Sequence, residues 1–216
     1  MKFVLLSFQG MVFCNHFIKN IIQMSANSHL ANHFGVDYPT ASTISYHFQK
    51  TIGHATKIID DSVETLNDYN HHAFSKLTHD EISKYITKED ISHVEHLLTL
   101  KNTLNIDYIL CTNLPLIFCI RVFNAMNISL FKLFNPNYIF TSDIIGHVKE
   151  DPEYFKYVQT KLQNENLTSC IYIDNNEFNI KSAKKLNATI FENIVLLLDS
   201  NELVDCILCE CNAYNY

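Results

Sequence analysis

Two hydrophobic patterns alternate along this chain. One is a set of short, continuous apolar runs, over Phe3–Phe8, Asp107–Thr112, Asn137–Ser142 and Ser169–Asp174, with a weaker one over Ala188–Phe191. Each is too short for a helix, and none alternates apolar with polar residues. That predicts strands buried on both faces, as in a parallel sheet. The other pattern is helical and fills the gaps between the last four runs, over roughly 115–130, 151–165 and 176–186. Asp151, Pro152 and Glu153 read as an N-cap, a first-turn proline and a first-turn acid. Strand–helix–strand alternation implies an α/β fold with a Rossmann-like parallel sheet of about five strands.

The stretch from about 15 to 100 breaks this rhythm. It holds no convincing strand but several helical patterns, roughly 15–34, 40–53, 62–76, 79–86 and 89–104. Two begin with cap signals, Thr78 with Glu81 and Thr87 with Asp90. The expected organisation is an α/β core over 1–14 and 105–205, a helical insert over 15–104, and a tail over 206–216.

The chain has 216 residues, enough to bury a core without staples. Glycine and proline are scarce at four each, which favours long helices and short connections. The net charge of −7 and the lack of a basic stripe argue against nucleic acid or an acidic membrane surface as partner. A signal peptide needs an uninterrupted apolar stretch, and here Ser7, Gln9 and Gly10 interrupt the run early. No run approaches the ~20 apolar residues that span a bilayer. A cytoplasmic location is the expectation.

Most of the eleven histidines lie between His29 and His96 without an HxH or HExxH pattern, and are read as surface or core residues. The seven cysteines are odd in number and several sit inside apolar runs, which suits reduced, buried thiols. Cys206, Cys209 and Cys211 have a spacing that suits a soft metal, but no fourth ligand is evident. They are read as part of a flexible or partly packed tail.

In an open parallel sheet, ligands bind beyond the carboxyl ends of the strands. The residues there are Ser7 and Gln9, Thr112 and Asn113, and Asp174, Asn175 and Asn176, with Lys149 ahead of a crossover helix. Together they would line one polar crevice. Their order resembles the haloacid dehalogenase-like (HAD-like) phosphatases, within them the subgroup with a helical cap after the first motif, and in some stretches the pyrimidine 5′-nucleotidases. The second motif of that family, an apolar strand ending in Thr or Ser, is matched by Ile109-Leu110-Cys111-Thr112. The third, a Lys shortly before a Pro and a helix, is matched by Lys149-Glu150-Asp151-Pro152. The fourth, an apolar strand ending in acids and then a helix, is matched by Ile171-Tyr172-Ile173-Asp174 and the residues to Leu186. The resemblance covers residues 1–14 and about 105–192. The 15–104 insert matches the cap in length and helicity only.

The first motif departs from the family. The pattern there is Asp-x-Asp-x-Thr, in which the first Asp attacks phosphorus and helps hold Mg²⁺, and the second shuttles protons. Here the residues are Ser7, Gln9 and Met11, and in the fourth motif Asn175 stands where a second acid is usual. A serine hydroxyl is a poor nucleophile without a base, and Gln9 cannot take or give a proton at neutral pH. Losing the acid/base alone costs about 10²–10⁴ in rate. The reading is a HAD-like protein without phosphohydrolase activity, acting by binding a phosphorylated ligand or a protein partner. No cofactor is expected, and Mg²⁺ only if activity remains. The alternative is an active Mg²⁺-dependent phosphatase or nucleotidase.

At single residues two readings stay open. Lys149 contacts a phosphate or is a solvated lysine. Thr112 donates to a phosphate oxygen or caps the next helix, and Asn113 belongs with it in the phosphate set. Asp174 holds a cation weakly or pairs with Lys149. Ser7 is a satisfied polar residue at a strand end rather than a nucleophile. The aromatic run Phe131–Phe140 reads as core packing, and Tyr46, His47 and Phe48 as the core of the insert.

Overall fold

A computed structural model of the chain describes residues 2–8, 10–13, 78–186 and 190–212. Five parallel strands form one sheet: β1 (Lys2–Ser7), β2 (Ile106–Thr112), β3 (Phe134–Thr141), β4 (Cys170–Asp174) and β5 (Phe191–Leu196), in the order β3-β2-β1-β4-β5. The α/β, Rossmann-like reading of the sequence is therefore correct. The chain runs outward from β1 through β2 to β3, and returns to the other side of β1 for β4 and β5. The direction of winding reverses between β1 and β4, where an α/β sheet opens a crevice.

Continuous apolar runs form these strands because both faces of the sheet are covered. By alternation, Val4, Leu6, Tyr108, Leu110, Ile171 and Ile173 enter one apolar cluster, while Leu5, Ile109, Cys111, Cys170 and Tyr172 enter the other. The first face is covered by α1 (His79–Ser83), α2 (Lys88–Thr103), α3 (Leu116–Ala125) and α8 (Leu203–Asn212), through Ile82, Val94, Leu97, Phe118, Phe123, Leu203 and Ile207. On the second lie α6 (Pro152–Asn164) and α7 (Glu177–Lys185), through Tyr154, Phe155, Val158, Ile180 and Ala183. Each large apolar side chain buried this way contributes about 1.5–3 kcal/mol.

The two helices expected over 79–86 and 89–104 are α1 and α2, opened by complete capping boxes at Thr78/Glu81 and Thr87/Asp90. The helical patterns over 15–34, 40–53 and 62–76, with Tyr46, His47 and Phe48, lie outside the described residues. The pattern over 115–130 is two helices, α3 and the short α4 (Leu130–Leu133), because Asn127 takes the left-handed conformation at φ 58° and breaks the run. β3 begins at Phe134, earlier than expected. Its Pro136 is tolerated because β3 is an edge strand, where a missing N–H need not leave a gap in the ladder.

At the C-terminal end one expectation is corrected and one is narrowed. The last strand is Phe191–Leu196, running past the expected end at Phe191, so Glu192 and Asn193 are strand residues despite their polarity, while Ala188 and Thr189 lie outside the described residues. Of the two readings of the tail, residues 206–212 take the partly packed one, as the body of α8. Leu203, Ile207 and Cys211 recur every four residues, and that stripe is buried against the sheet.

Candidate functional site

β1 and β4 end side by side. Leu5 and Leu6 pair with Tyr172 and Ile173, and the next residues along are Ser7 and Asp174. Both leave the sheet on the face that carries α6. Lys149 reaches them from the loop before α6, and its Nζ donates to Ser7 Oγ at 2.7 Å and to Asp174 Oδ2 at 2.8 Å. All three are buried: Ser7 is 2% exposed, Lys149 3% and Asp174 0%. Asp174 thus pairs with Lys149, and Lys149 is buried rather than solvated.

The loop is shaped to deliver that lysine. A short helix, α5 (Ser142–Ile145), ends on Gly146 in the left-handed conformation at φ 80°, which only glycine adopts without strain. Asn113 then fixes the backbone: its Oδ1 accepts from Lys149 N at 2.8 Å and its Nδ2 donates to Glu150 Oε2 at 2.8 Å. Asp151 caps α6 through Glu153 N, as the sequence predicted.

Asp174 has a full set of donors. Its Oδ2 accepts from Lys149 Nζ, from Tyr172 OH at 2.6 Å and from Asn179 Nδ2 at 3.1 Å, and its Oδ1 accepts from Asn176 N at 2.8 Å. Burial, with Asp174 beside it, holds the Tyr172 phenol well above its usual pKa, so it stays a donor at neutral pH. Burial likewise pushes up the neighbouring Cys111 thiol and Tyr154 phenol, and both are neutral there.

Thr112 is buried at the end of β2, and its Oγ1 accepts from Leu114 N at 3.1 Å in the turn ahead of α3, whose N-cap Pro115 receives no side-chain cap. Asn113 serves Lys149 through its backbone. Gln9 lies outside the described residues. The structure thus brings Ser7, Lys149 and Asp174 together, with Asn113 as a brace. The sequence reading gave Tyr172 and Asn179 no role. Strand period was a usable signal for Tyr172, two residues before Asp174 on the same face. For Asn179 the signal was the fourth motif itself, whose helix carries an Asn.

On the other face of the sheet, the loop after β1 is tied to α2 by His93, whose Nε2 meets Met11 O at 2.8 Å; burial holds its pKa below the ordinary value. Cys206, Cys209 and Cys211 lie on α8 half-buried, exposed and buried respectively. Among the described residues no group of three His, Cys, Asp or Glu is placed to hold a metal ion, and no helix is long and apolar enough to cross a membrane.

No protein-family model matches the sequence, and no curated protein matches it either. Solved structures do. A HAD phosphatase from Thermococcus onnurineus aligns over 96% of this chain and 98% of its own, at 14% identity and a TM-score of 0.56. The fold is haloacid dehalogenase-like. CbbY from Rhodobacter sphaeroides, solved in complex with phosphate, aligns over 90% of this chain and 93% of its own, at 10% identity and a TM-score of 0.55. A hydrolase from Pseudomonas syringae aligns over 95% and 97%, at 14% identity and a TM-score of 0.56. At such identities the likeness extends to the HAD-like fold and not to the chemistry, which rests on the residues present.

Proposed function

We propose that this chain is a non-hydrolysing protein on the HAD-like fold, and that it acts by binding. One observation carries the proposal. The oxygen at the end of β1 is a serine hydroxyl, and its neighbour at 2.7 Å is a lysine that is already the cation of an ion pair with Asp174. A hydroxyl needs a base to attack phosphorus, and an ammonium held by a carboxylate donates protons rather than taking them. The tyrosines and the thiol around it are neutral, so none of them replaces that base.

The fold's association with phosphate, seen in CbbY, supports a phosphorylated small molecule as the ligand. The test has two arms. Assayed with a generic phosphate ester, the natural chain is expected to show no turnover above buffer, whereas Ser7→Asp combined with Gln9→Asp is expected to gain it. Turnover by the natural chain that disappears in Ser7→Ala and in Asp174→Ala would establish the rival reading, a Mg²⁺-dependent phosphatase or nucleotidase. A thermal-shift screen with inorganic phosphate and nucleoside monophosphates then identifies the ligand. A stabilising shift marks a phosphorylated molecule, and no shift with any of them leaves a protein partner.

A further inference from the structure

HAD-like enzymes are expected to hold Mg²⁺ beside the end of β1, and whether this chain's residues fit such an ion can be judged from the donors there. Mg²⁺ demands near-octahedral oxygen ligands and relies on one or two carboxylates. Here the oxygen contributed by β1 is the neutral Ser7 hydroxyl. Among the described residues the one carboxylate in the cluster is Asp174, which has three donors on Oδ2 and one on Oδ1. A divalent ion at Oδ2 would have to displace the Lys149 ammonium, the Tyr172 hydroxyl or the Asn179 amide. The charges already balance, one ammonium against one carboxylate, and both are buried. Adding two positive charges to a neutral, buried cluster is opposed by desolvation and by repulsion from Lys149.

We infer that the Lys149 ammonium is the built-in cation of this crevice, and that the site excludes divalent metal. The ammonium supplies a fixed positive charge without coordination geometry. It spends one proton on Ser7 and one on Asp174. An anion reaching the crevice would therefore be held by a lysine, with no metal bridge.

Mn²⁺ titration of the full chain, followed by the loss of the free-ion paramagnetic resonance signal, tests this directly. The expected result is no saturable site up to millimolar Mn²⁺ that depends on Asp174. A saturable site that weakens at least tenfold in Asp174→Asn would overturn the inference, while one unaffected by that change lies elsewhere and leaves it standing. Should Asp174→Asn not fold, Mn²⁺ broadening of the Ser7, Lys149 and Asn176 amide signals in the natural chain would overturn the inference, and sharp signals there would uphold it. Ser7→Asp, which returns a carboxylate to β1, is expected to tighten Mn²⁺ binding at least tenfold, and no gain there would count against the account. The inference is separable from the proposed function: metal binding without turnover sinks only the inference, and metal-free turnover sinks only the function.

Discussion

β1 and β4 change character within a single residue. Leu6 and Ile173 are fully buried apolar side chains in a cluster that extends to α2, α3 and α8, whereas the next residues, Ser7 and Asp174, are equally buried but polar. Burial alone stabilises the first pair, because removing hydrocarbon from water is favourable wherever it packs. It penalises the second, because a buried carboxylate is tolerated only while its partners stay in place. The apolar segment is robust and the polar end is contingent. The contingent part therefore has more to lose from a single change.

The largest expected effect comes from removing the cation. Lys149→Met keeps most of the side chain's volume but leaves Asp174 ionised and buried without its counter-charge. That should destabilise the fold by about 3–5 kcal/mol. Adding Asp174→Asn removes the stranded charge, so the double variant should be more stable than the sum of the singles by about 0.5–3 kcal/mol. Urea unfolding of all four proteins measures this. Additive effects would mean that the ion pair is not what holds the strand ends together.

Leu6→Ala tests the robust side of the comparison. It leaves a cavity among Val4, Leu110 and Ile173 and should cost about 2–5 kcal/mol. Unlike the lysine change, it should not be rescued by any second substitution at a charged position. If an Asp174 variant did rescue it, the apolar segment and the polar strand ends would be energetically one unit and the contrast would fail.

How much of this was legible in the sequence follows the same division. The strands were readable because an unbroken apolar run has one common use in a chain of this type, and Leu5 and Leu6 announce it. The caps at Thr78, Thr87 and Asp151 were readable because capping is decided within four residues. The emptied first motif was visible at Ser7, and the partnership of Lys149 with Asp174 was one of two readings the strand-end context left open. What stayed hidden depends on distant neighbours. Glu192 and Asn193 look like loop residues until the edge position of β5 allows polar side chains on a strand. The cysteines of α8 drew attention as metal ligands, while the stripe of Leu203, Ile207 and Cys211 that seats the helix was overlooked. The bond from Leu114 N to Thr112 Oγ1 is a matter of ångströms that no spacing encodes.

A smaller effect is expected at Tyr172, whose hydroxyl donates to the same carboxylate oxygen as Lys149. Tyr172→Phe keeps the ring among Phe155 and Phe191 and removes one bond to a charged acceptor. A loss of about 1.5–3 kcal/mol is expected, at the low end because Oδ2 keeps two other donors. The phenol also gives the pH direction. Its folded pKa is raised above the unfolded value of about 10, so its contribution is complete below pH 10 and fades as pH climbs toward the folded value. The natural chain should therefore lose more stability than Tyr172→Phe between pH 9 and 11, read as the shift in urea midpoint.

The smallest effect separates the local from the contingent. Asp151 lies two residues beyond Lys149, yet its role is confined to its own helix: its Oδ1 accepts from Glu153 N, and its Oδ2 meets the exposed His147. Asp151→Ala should lower stability by about 1 kcal/mol through the lost cap, and Asp151→Ser should recover most of that, since serine caps as well. The exposed His147 contact adds little in water, so Asp151→Asn, which keeps the cap and drops the charge, should stay within about 0.5 kcal/mol of the natural chain. The Lys149 cluster should be untouched in all three. Unshifted Ser7 and Asn176 amide signals in a two-dimensional NMR spectrum would show that the loop delivering Lys149 is fixed by Asn113 and Gly146, not by the helix that follows it. Movement of those signals in Asp151→Ala alone would place the cap inside the contingent region and redraw its boundary.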